Sequence, residues 1–203
     1  MRLLTTRSNP IPSIRALTTL TTRAKPISSK PPFLILRTMA SKAQTGPPAH
    51  EMVYFPQMTS SLPSTSTEFR RVLWTGLYSQ VVLMNVPVGG DIGDEVHTVD
   101  QILTFTSGQG RATIAGKDQD VQAGDLVVVP AGTQHQFVNT GTRPLVLYTV
   151  YSQAEHATGT VHRTKEEGDR EEEEGRDEPP EWARRSKMEN EEMGLVRESG
   201  KYE

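Results

Sequence analysis

The chain has 203 residues, a formal net charge of −3 and no cysteine. Lack of cysteine excludes a disulfide framework, a thiolate zinc site and a cysteine nucleophile, which leaves His, Asp, Glu and amide oxygen as metal ligands. No apolar run approaches the roughly 18 residues of a membrane span, and the mildly acidic centre offers no basic surface for nucleic acid. We therefore expect neither a membrane nor a nucleic-acid partner.

Charge divides the chain into three parts. Residues 1–50 carry eight Lys/Arg and no acid, residues 51–164 carry ten acids and six bases, and residues 165–203 carry fifteen acids and eight bases. A chain of this length suggests one domain with tails. We predict a disordered leader over 1–50, a folded domain over 51–164 and a charged, mostly disordered tail over 165–203.

The leader has the composition of an organelle transit peptide, because it is rich in Arg, Ser and Thr and free of acid. We expect a mitochondrial protein. Met39 opens a stretch that would serve as an ordinary cytosolic start, so a cytoplasmic protein is the alternative. A disordered basic arm without a targeting role would have the same composition.

From Phe69 onward, short β-rich runs alternate with turn signals. The runs are RVLWTGLY, SQVVLMNVPV, VDQILTFT, RATIA, LVVVP, HQFVN and LVLYTVY. Short strands at this spacing, with no window that favours a long amphipathic helix, predict an all-β sandwich or barrel. The core suits a small jelly roll. RRVLWTGLY would supply an edge strand for pairing with a second copy, so we expect a homodimer.

Polar residues of ligand type occur in two of these segments. Alternate residues of a strand point the same way, so Glu95, His97 and Gln101 can share the inward face while Asp100 points outward. His135 begins a later strand after a Pro-Ala-Gly turn that would tip it toward the mouth of the barrel. The pattern therefore favours the amide of Gln101 over the carboxylate of Asp100.

Two motifs make the pattern specific. Gly89, Glu95, His97, Gln101 and Gly108 follow the spacing of the first cupin motif. The second cupin motif is matched by Gly124, Pro130, Gly132, His135 and Asn139. Over roughly residues 70–151 the chain resembles a small single-domain member of the cupin superfamily.

The resemblance implies a double-stranded β-helix barrel that holds a divalent metal through four inward side chains. Carried over by position, the ligands are Glu95, His97, Gln101 and His135. The usual set is three histidines and one glutamate, so Glu95 replaces a histidine and Gln101 replaces the glutamate. One negative charge is retained, and two oxygens with two imidazoles favour Fe(II) or Mn(II), with Zn(II) as an alternative. A metal-free hydrogen-bond network that rigidifies the barrel is the other interpretation.

Three functions fit this resemblance. The first is a dioxygenase-like oxidoreductase that acts on a small organic or secondary-metabolite substrate, with Glu95 doubling as a proton acceptor. The second is a metal-dependent sugar or sugar-phosphate isomerase like mannose-6-phosphate isomerase, although the core has few basic residues to hold a phosphate. The third is a non-catalytic module that binds a small ligand.

Residues outside the motifs are expected to be structural. His156 and His162 fall beyond the barrel strands, where we expect a surface segment or one that packs over an edge. Asn139 is expected to cap a turn rather than to act in catalysis. The tail stretch PPEWARRSKMENEEMGL predicts a short helix, and we expect it to be frayed, with Trp182 exposed.

Overall fold

The computed structural model describes residues 44–56, 58 and 68–196, so most of the predicted leader lies outside the described residues. The strands are β1 (Arg70–Thr75), β2 (Gln80–Val86), β3 (Asp91–Glu95), β4 (Asp100–Ser107), β5 (Gln109–Ile114), β6 (Lys117–Gln122), β7 (Leu126–Val129), β8 (His135–Asn139), β9 (Leu145–Ser152) and β10 (Val161–His162). They are followed by helix α1 (Lys165–Glu173), a 3₁₀ helix (Glu181–Ala183) and helix α2 (Lys187–Glu192). No helix in the described ranges combines the length and the apolar character that a membrane span requires.

The strands form two antiparallel sheets. One has the order β10-β1-β2-β9-β4-β7, and the other has the order β3-β8-β5-β6. The predicted all-β jelly roll is confirmed. Two strands lie where the sequence pattern predicts turns. β6 lacks an apolar alternation because Val121 is its one buried residue, and β3 is interrupted by glycine.

The core lies between the sheets and is built by alternate residues. In β9, the inward positions Leu145, Leu147 and Tyr151 are completely buried. Across the sandwich, the rings of Phe105 and Phe137 lie 5.9 Å apart between centroids. At one end of the barrel, the buried Asn139 amide donates to the carbonyls of Val86, Pro87 and Arg143, and its oxygen accepts from Gly141 N. These bonds confirm its predicted role as a turn cap.

The tail corrects a prediction. Residues 165–196 contain two helices and a 3₁₀ helix and pack against the barrel domain, where a mostly disordered segment is predicted, and Trp182 is only 9% exposed. Its indole packs with Ala183, Ala154 and Leu77 in a small apolar cluster. Charge clustering suggests disorder, but here the acidic residues of α1 meet basic and histidine partners on the barrel, which offsets their repulsion.

Asp177 is the centre of the contact between tail and barrel. Its Oδ2 lies 2.8 Å from His156 Nδ1 and 3.7 Å from Arg70 Nη1, while Oδ1 accepts from Thr160 Oγ1 and Ala157 N. Arg70 also forms an ion pair with Glu172 of α1. These bonds join β1, the segment after β9 and the tail into one packed unit.

The edge of the larger sheet differs from the expectation for a dimer. β10 pairs with β1 at Arg70 and Arg71, and Val72 N donates to Thr160 O, so the first half of β1 is already covered within the chain. Pairing of a second copy through all of β1 is therefore not available. The homodimer itself stays a prediction.

Replacing Asp177 by asparagine tests how strongly the tail is held. Loss of one partner from a buried ion pair costs about 3 kcal/mol of unfolding free energy. Burial alone would raise the pKa of Asp177, but hydrogen bonds from His156, Thr160 and Ala157 hold it below its ordinary value. The stabilisation is therefore present above the ordinary aspartate pKa of about 3.9 and is lost as the pH falls below it.

Urea unfolding from about pH 7 to pH 3 checks this prediction. The gap in unfolding free energy between wild type and Asp177→Asn should be full at neutral pH and should narrow below about pH 4. Asp120→Asn is the control, because that side chain is 90% exposed. A gap that is absent at neutral pH, or that does not change with pH, would contradict the assignment.

Candidate metal centre

The predicted ligands lie at the same end of the barrel. Glu95 is paired with His135 across β3 and β8, and Gln101 is paired with Tyr151 across β4 and β9. His97 joins them from the connection between β3 and β4, with its ring centroid 5.3 Å from that of Tyr151. The strand ends thus bring together side chains that are separated by up to forty residues in the sequence.

A β-bulge in β3 determines which acidic residue faces His135. The partners of Ile92 and Glu95 lie only two residues apart on β8, so β3 carries one extra residue between them. Without that residue, Asp94 would stand opposite His135. Gly93 permits the bulge with a φ of 82°, and a Cβ there would lie 2.7 Å from His135 O.

This corrects the reasoning from strand alternation. The side chains of Glu95, His97 and His135 do converge, but not on one continuous strand, because β3 ends at Glu95 and His97 lies in a loop. Gly132 N donates to His97 O over 2.8 Å and holds this loop. Asp100 is exposed, as predicted, and its carboxylate accepts from Ala131 N.

A carboxylate oxygen and two imidazole nitrogens converge at this site. Glu95 Oε1 lies 3.1 Å from His97 Nε2 and 3.5 Å from His135 Nε2. The ligand-type atoms of these three residues lie within 4.8 Å of one another, and the two imidazole centroids are 5.2 Å apart. The side chain of His135 is completely buried, whereas that of Glu95 is 21% exposed.

Two buried lone pairs in this region have no hydrogen-bond partner. His135 Nδ1 lies 2.9 Å from the carbonyl of Thr133, which can only accept, so Nδ1 carries the proton and Nε2 presents its lone pair. His135 Nε2 is buried and unpartnered. Gln101 donates its amide to Tyr151 Oη over 2.9 Å, and its Oε1 is also buried and unpartnered.

The electrostatic environment favours a charged site. Burial alone would raise the pKa of Glu95, but the hydrogen bond from His97 and the positive charges of His97 and Arg70 lower it below the ordinary glutamate value. Burial would lower the pKa of His97, but its bonds to Glu155 and Glu95 raise it to about 9. Without a metal, Glu95 is therefore an ionised carboxylate beside a protonated His97 at neutral pH, and a cation bound here would take the place of the proton on His97 Nε2.

Glu155 is a residue at this site that the sequence reasoning missed. Its Oε1 lies 3.1 Å from His97 Nδ1, on the side of the ring opposite to Glu95. It belongs to the segment Gln153–Ala157, which we call the strap and which follows β9. The sequence does carry a signal for it, since Glu155 stands next to His156 directly after β9. β9 ends at the mouth of the barrel, where His97 lies.

His156 and His162 are buried, at 1% exposure each. Of the two predicted outcomes, a surface segment or one that packs over an edge, the structure shows the packed one. His156, Glu172 and Asp177 form a second group with metal-ligand geometry. Arg70 is already paired with Glu172 and Asp177, so a guanidinium supplies the positive charge that these carboxylates need. We assign this group to tail docking.

Comparison with known proteins agrees with the barrel. The cupin domain family matches residues 82–151, which run from β2 to β9. The chain belongs to the cupin superfamily. The match ends at Tyr151, four residues before Glu155, so the strap lies outside the part that the family shares.

Several proteins are similar to this chain over about half of its length or more. The uncharacterized protein YrkC of Bacillus subtilis is 46% identical over 105 residues, which is 48% of this chain and 56% of that protein. An uncharacterized protein of Acanthamoeba polyphaga mimivirus is 38% identical over 99 residues, 46% of this chain and 61% of that protein. This chain thus spans little more than half the length of these curated relatives. A crystal structure of a Bacillus halodurans protein superposes with a TM-score of 0.55 at 36% identity, covering 64% of this chain and 99% of that one.

The residues present fit a divalent cation. Burying a carboxylate and imidazoles is costly unless each is paired, and two acceptor atoms here, His135 Nε2 and Gln101 Oε1, face no donor. A cation would satisfy both and would neutralise Glu95. Those residues, with His97, would hold it, as the sequence predicts.

Gln101→Met separates metal binding from a structural network. Replacing the amide keeps the volume and removes an unsatisfied buried oxygen, but it also removes the donor to the buried Tyr151 hydroxyl, so the free energy of unfolding of the metal-free protein should fall by about 1–3 kcal/mol. The affinity for Mn(II) should fall by at least about tenfold, since loss even of a residue that only orients a metal ligand costs that much. Mn(II) titration followed by electron paramagnetic resonance measures it, with the exposed Gln122→Met as control. Unchanged Mn(II) affinity would exclude Gln101 as a ligand.

Proposed function

We propose that this protein is a metal-dependent cupin enzyme, an oxidoreductase that uses Fe(II) or Mn(II) to act on a small organic substrate. The observation that carries the proposal is the pair of buried, unpartnered acceptors beside an ionised Glu95. His135 Nε2 and Gln101 Oε1 have no donor, and Glu95 Oε1 faces two imidazoles. A divalent cation is the simplest group that satisfies all of these atoms.

The donor set supports the choice of metal. Two imidazoles, one carboxylate and one amide oxygen make a harder site than three imidazoles, which favours Fe(II) or Mn(II) over copper and leaves Zn(II) as the alternative. Two histidines and one carboxylate are also the donors of oxygen-activating iron sites. A bound ion would offer open coordination positions and stabilise negative charge that develops on a substrate oxygen.

The chain's own residues limit what reaches the site. The side chains of Glu95 and His97 are 21% and 10% exposed, while His135 is sealed on the inner side. Two surface clefts, of about 580 Å³ and 610 Å³, are lined mainly by residues 44–53 with β1 and by β5 with β6, away from these ligands. A small substrate that approaches across Glu95 and His97 fits this arrangement best.

Glu95 has a more restricted role than the sequence suggests. The hydrogen bond from His97 and the nearby positive charges lower its pKa, so it holds charge well and accepts a proton poorly. In the proposed enzyme its first task is to ligate the ion. It becomes a proton acceptor only where substrate binding weakens its bond to His97.

The isomerase hypothesis receives no specific support from the described residues. A phosphate would need basic side chains free to bind it. Arg70 and Lys165 are the basic side chains that interact electrostatically with Glu95. Both already have other partners, because Arg70 is paired with Glu172 and Lys165 is bonded to Asp91 and to Gly93 O. We therefore favour oxygen-dependent chemistry over sugar-phosphate isomerisation.

Metal content and oxygen uptake test the proposal. The full chain should contain about one Fe or Mn, and His97→Ala and His135→Ala should lose it while their far-ultraviolet circular dichroism is unchanged. His50→Ala is the matched control, because His50 is exposed and its hydrogen-bond partner among the described residues is the carbonyl of Leu195. With small acids, diols and phenols as candidate substrates, the Fe(II)-loaded wild type should consume oxygen and the two site variants should not.

Two results would contradict the proposal. Metal retained equally by wild type, His97→Ala and His135→Ala would place the ion elsewhere. Stoichiometric metal at the site together with ketose–aldose exchange, and no oxygen uptake, would establish the isomerase alternative instead.

A further inference from the structure

His97 stands between two carboxylates. Glu95 Oε1 lies 3.1 Å from Nε2 and Glu155 Oε1 lies 3.1 Å from Nδ1. His97 can donate to both carboxylates only as a doubly protonated cation, whereas a metal-bound imidazole keeps a single N–H and donates to one of them. Which nitrogen holds the proton decides whether Nε2 is free to bind a metal.

His135 shows how the fold settles this question at the other imidazole. Its Nδ1 faces the backbone carbonyl of Thr133 at 2.9 Å, which fixes the proton on Nδ1 and leaves Nε2 as a lone pair. His97 has a carboxylate where His135 has a carbonyl. In both rings, Nε2 is the nitrogen that points toward Glu95.

We infer that Glu155 is a positioning residue that keeps the proton of His97 on Nδ1 and so presents Nε2 to the divalent metal. The inference rests on the proposed function. Glu155 contacts the nitrogen of His97 that faces away from Glu95, and it is not among the atoms that lie within ligand distance of one another. It acts through His97 and does not bind the ion itself.

The strap is held rigidly enough to aim Glu155. On its inner side, the completely buried Gln80 accepts from Glu155 N and His156 N and donates to His156 O and Thr75 Oγ1. With both its oxygen and its amide used, Gln80 fixes the backbone on either side of the Glu155 Cα atom. This arrangement is what a residue orienting a ligand requires.

The tail supports the strap from outside. Asp177 binds His156 and Ala157 N, Gln153 Nε2 donates to Arg185 O over 2.8 Å, and Trp182 packs on Ala154. The charged C-terminal part of the chain is thereby linked to the geometry of His97. Its contribution to the site is made through the strap.

Co(II) titration of the full chain, followed by its visible absorption bands, tests the role of Glu155. Glu155→Ala should bind Co(II) 10- to 100-fold more weakly than wild type, which is the usual effect of removing the carboxylate that orients a metal-binding histidine. Glu155→Gln keeps an acceptor oxygen and should recover much of the loss. Glu173→Ala removes an exposed acid of α1 and should bind like wild type.

Two further measurements complete the test. They are the positions of the Co(II) absorption bands and the thermal unfolding of the metal-free proteins. A purely structural role would lower the metal-free unfolding temperature and leave the Co(II) spectrum unchanged, whereas a positioning role changes the spectrum and affinity of a folded variant. If Glu155→Ala does not fold, Glu155→Gln decides, with a binding loss of about threefold or more expected.

Different results would overturn the role of Glu155 and the metal site itself. Wild-type protein that binds Co(II), with Glu155→Ala and Glu155→Gln equal to it in affinity and spectrum, would overturn the role of Glu155 alone. Wild-type protein that binds no Co(II), or that binds it equally after His97→Ala, would overturn the proposed metal site.

Discussion

The arrangement at the mouth of the barrel depends on one constraint, which is that several buried acceptors face one another. An ionised Glu95, the lone pair of His135 and the carbonyl oxygen of Gln101 occupy a region with few donors. Such a group is unfavourable in a protein interior unless a cation or protons intervene. The bulge at Gly93 and the loop at His97 both serve to create this concentration of negative potential.

The surrounding structure stabilises that concentration from two sides. Strand pairing brings Glu95 and His135 together from the barrel, and the strap brings Glu155 to the outer edge of His97. The strap is in turn held by Gln80 within and by Asp177 outside. A segment beyond the shared cupin domain thus completes a site whose ligands lie within it.

Much of this architecture follows from the sequence because its signals are local. Alternation of apolar residues in β4 and β9 predicts both strands, and the spacing of the motifs selects Glu95, His97, Gln101 and His135. The weaker elements lack such signals. β6 turns nearly all its side chains to solvent, and the charge of α1 suggests disorder unless its partners on the barrel are known.

Strand alternation explains only part of how the site residues come together. Alternation along one strand places Glu95 inward, but the structure does so through a bulge, since an unbroken register would have selected Asp94. Glu155 could not be chosen from spacing at all, because its contact with His97 joins residues 58 positions apart through the strap. Long-range contacts of this kind depend on how segments pack.

A crystal structure of the protein grown with Mn(II), with anomalous diffraction data, is the most direct test of the central claim. We predict one strong anomalous peak within bonding distance of Nε2 of His97 and of His135, bounded also by Glu95 and by Gln101 Oε1. A site without a peak at saturating Mn(II), or a peak found instead among His156, Glu172 and Asp177, would contradict it.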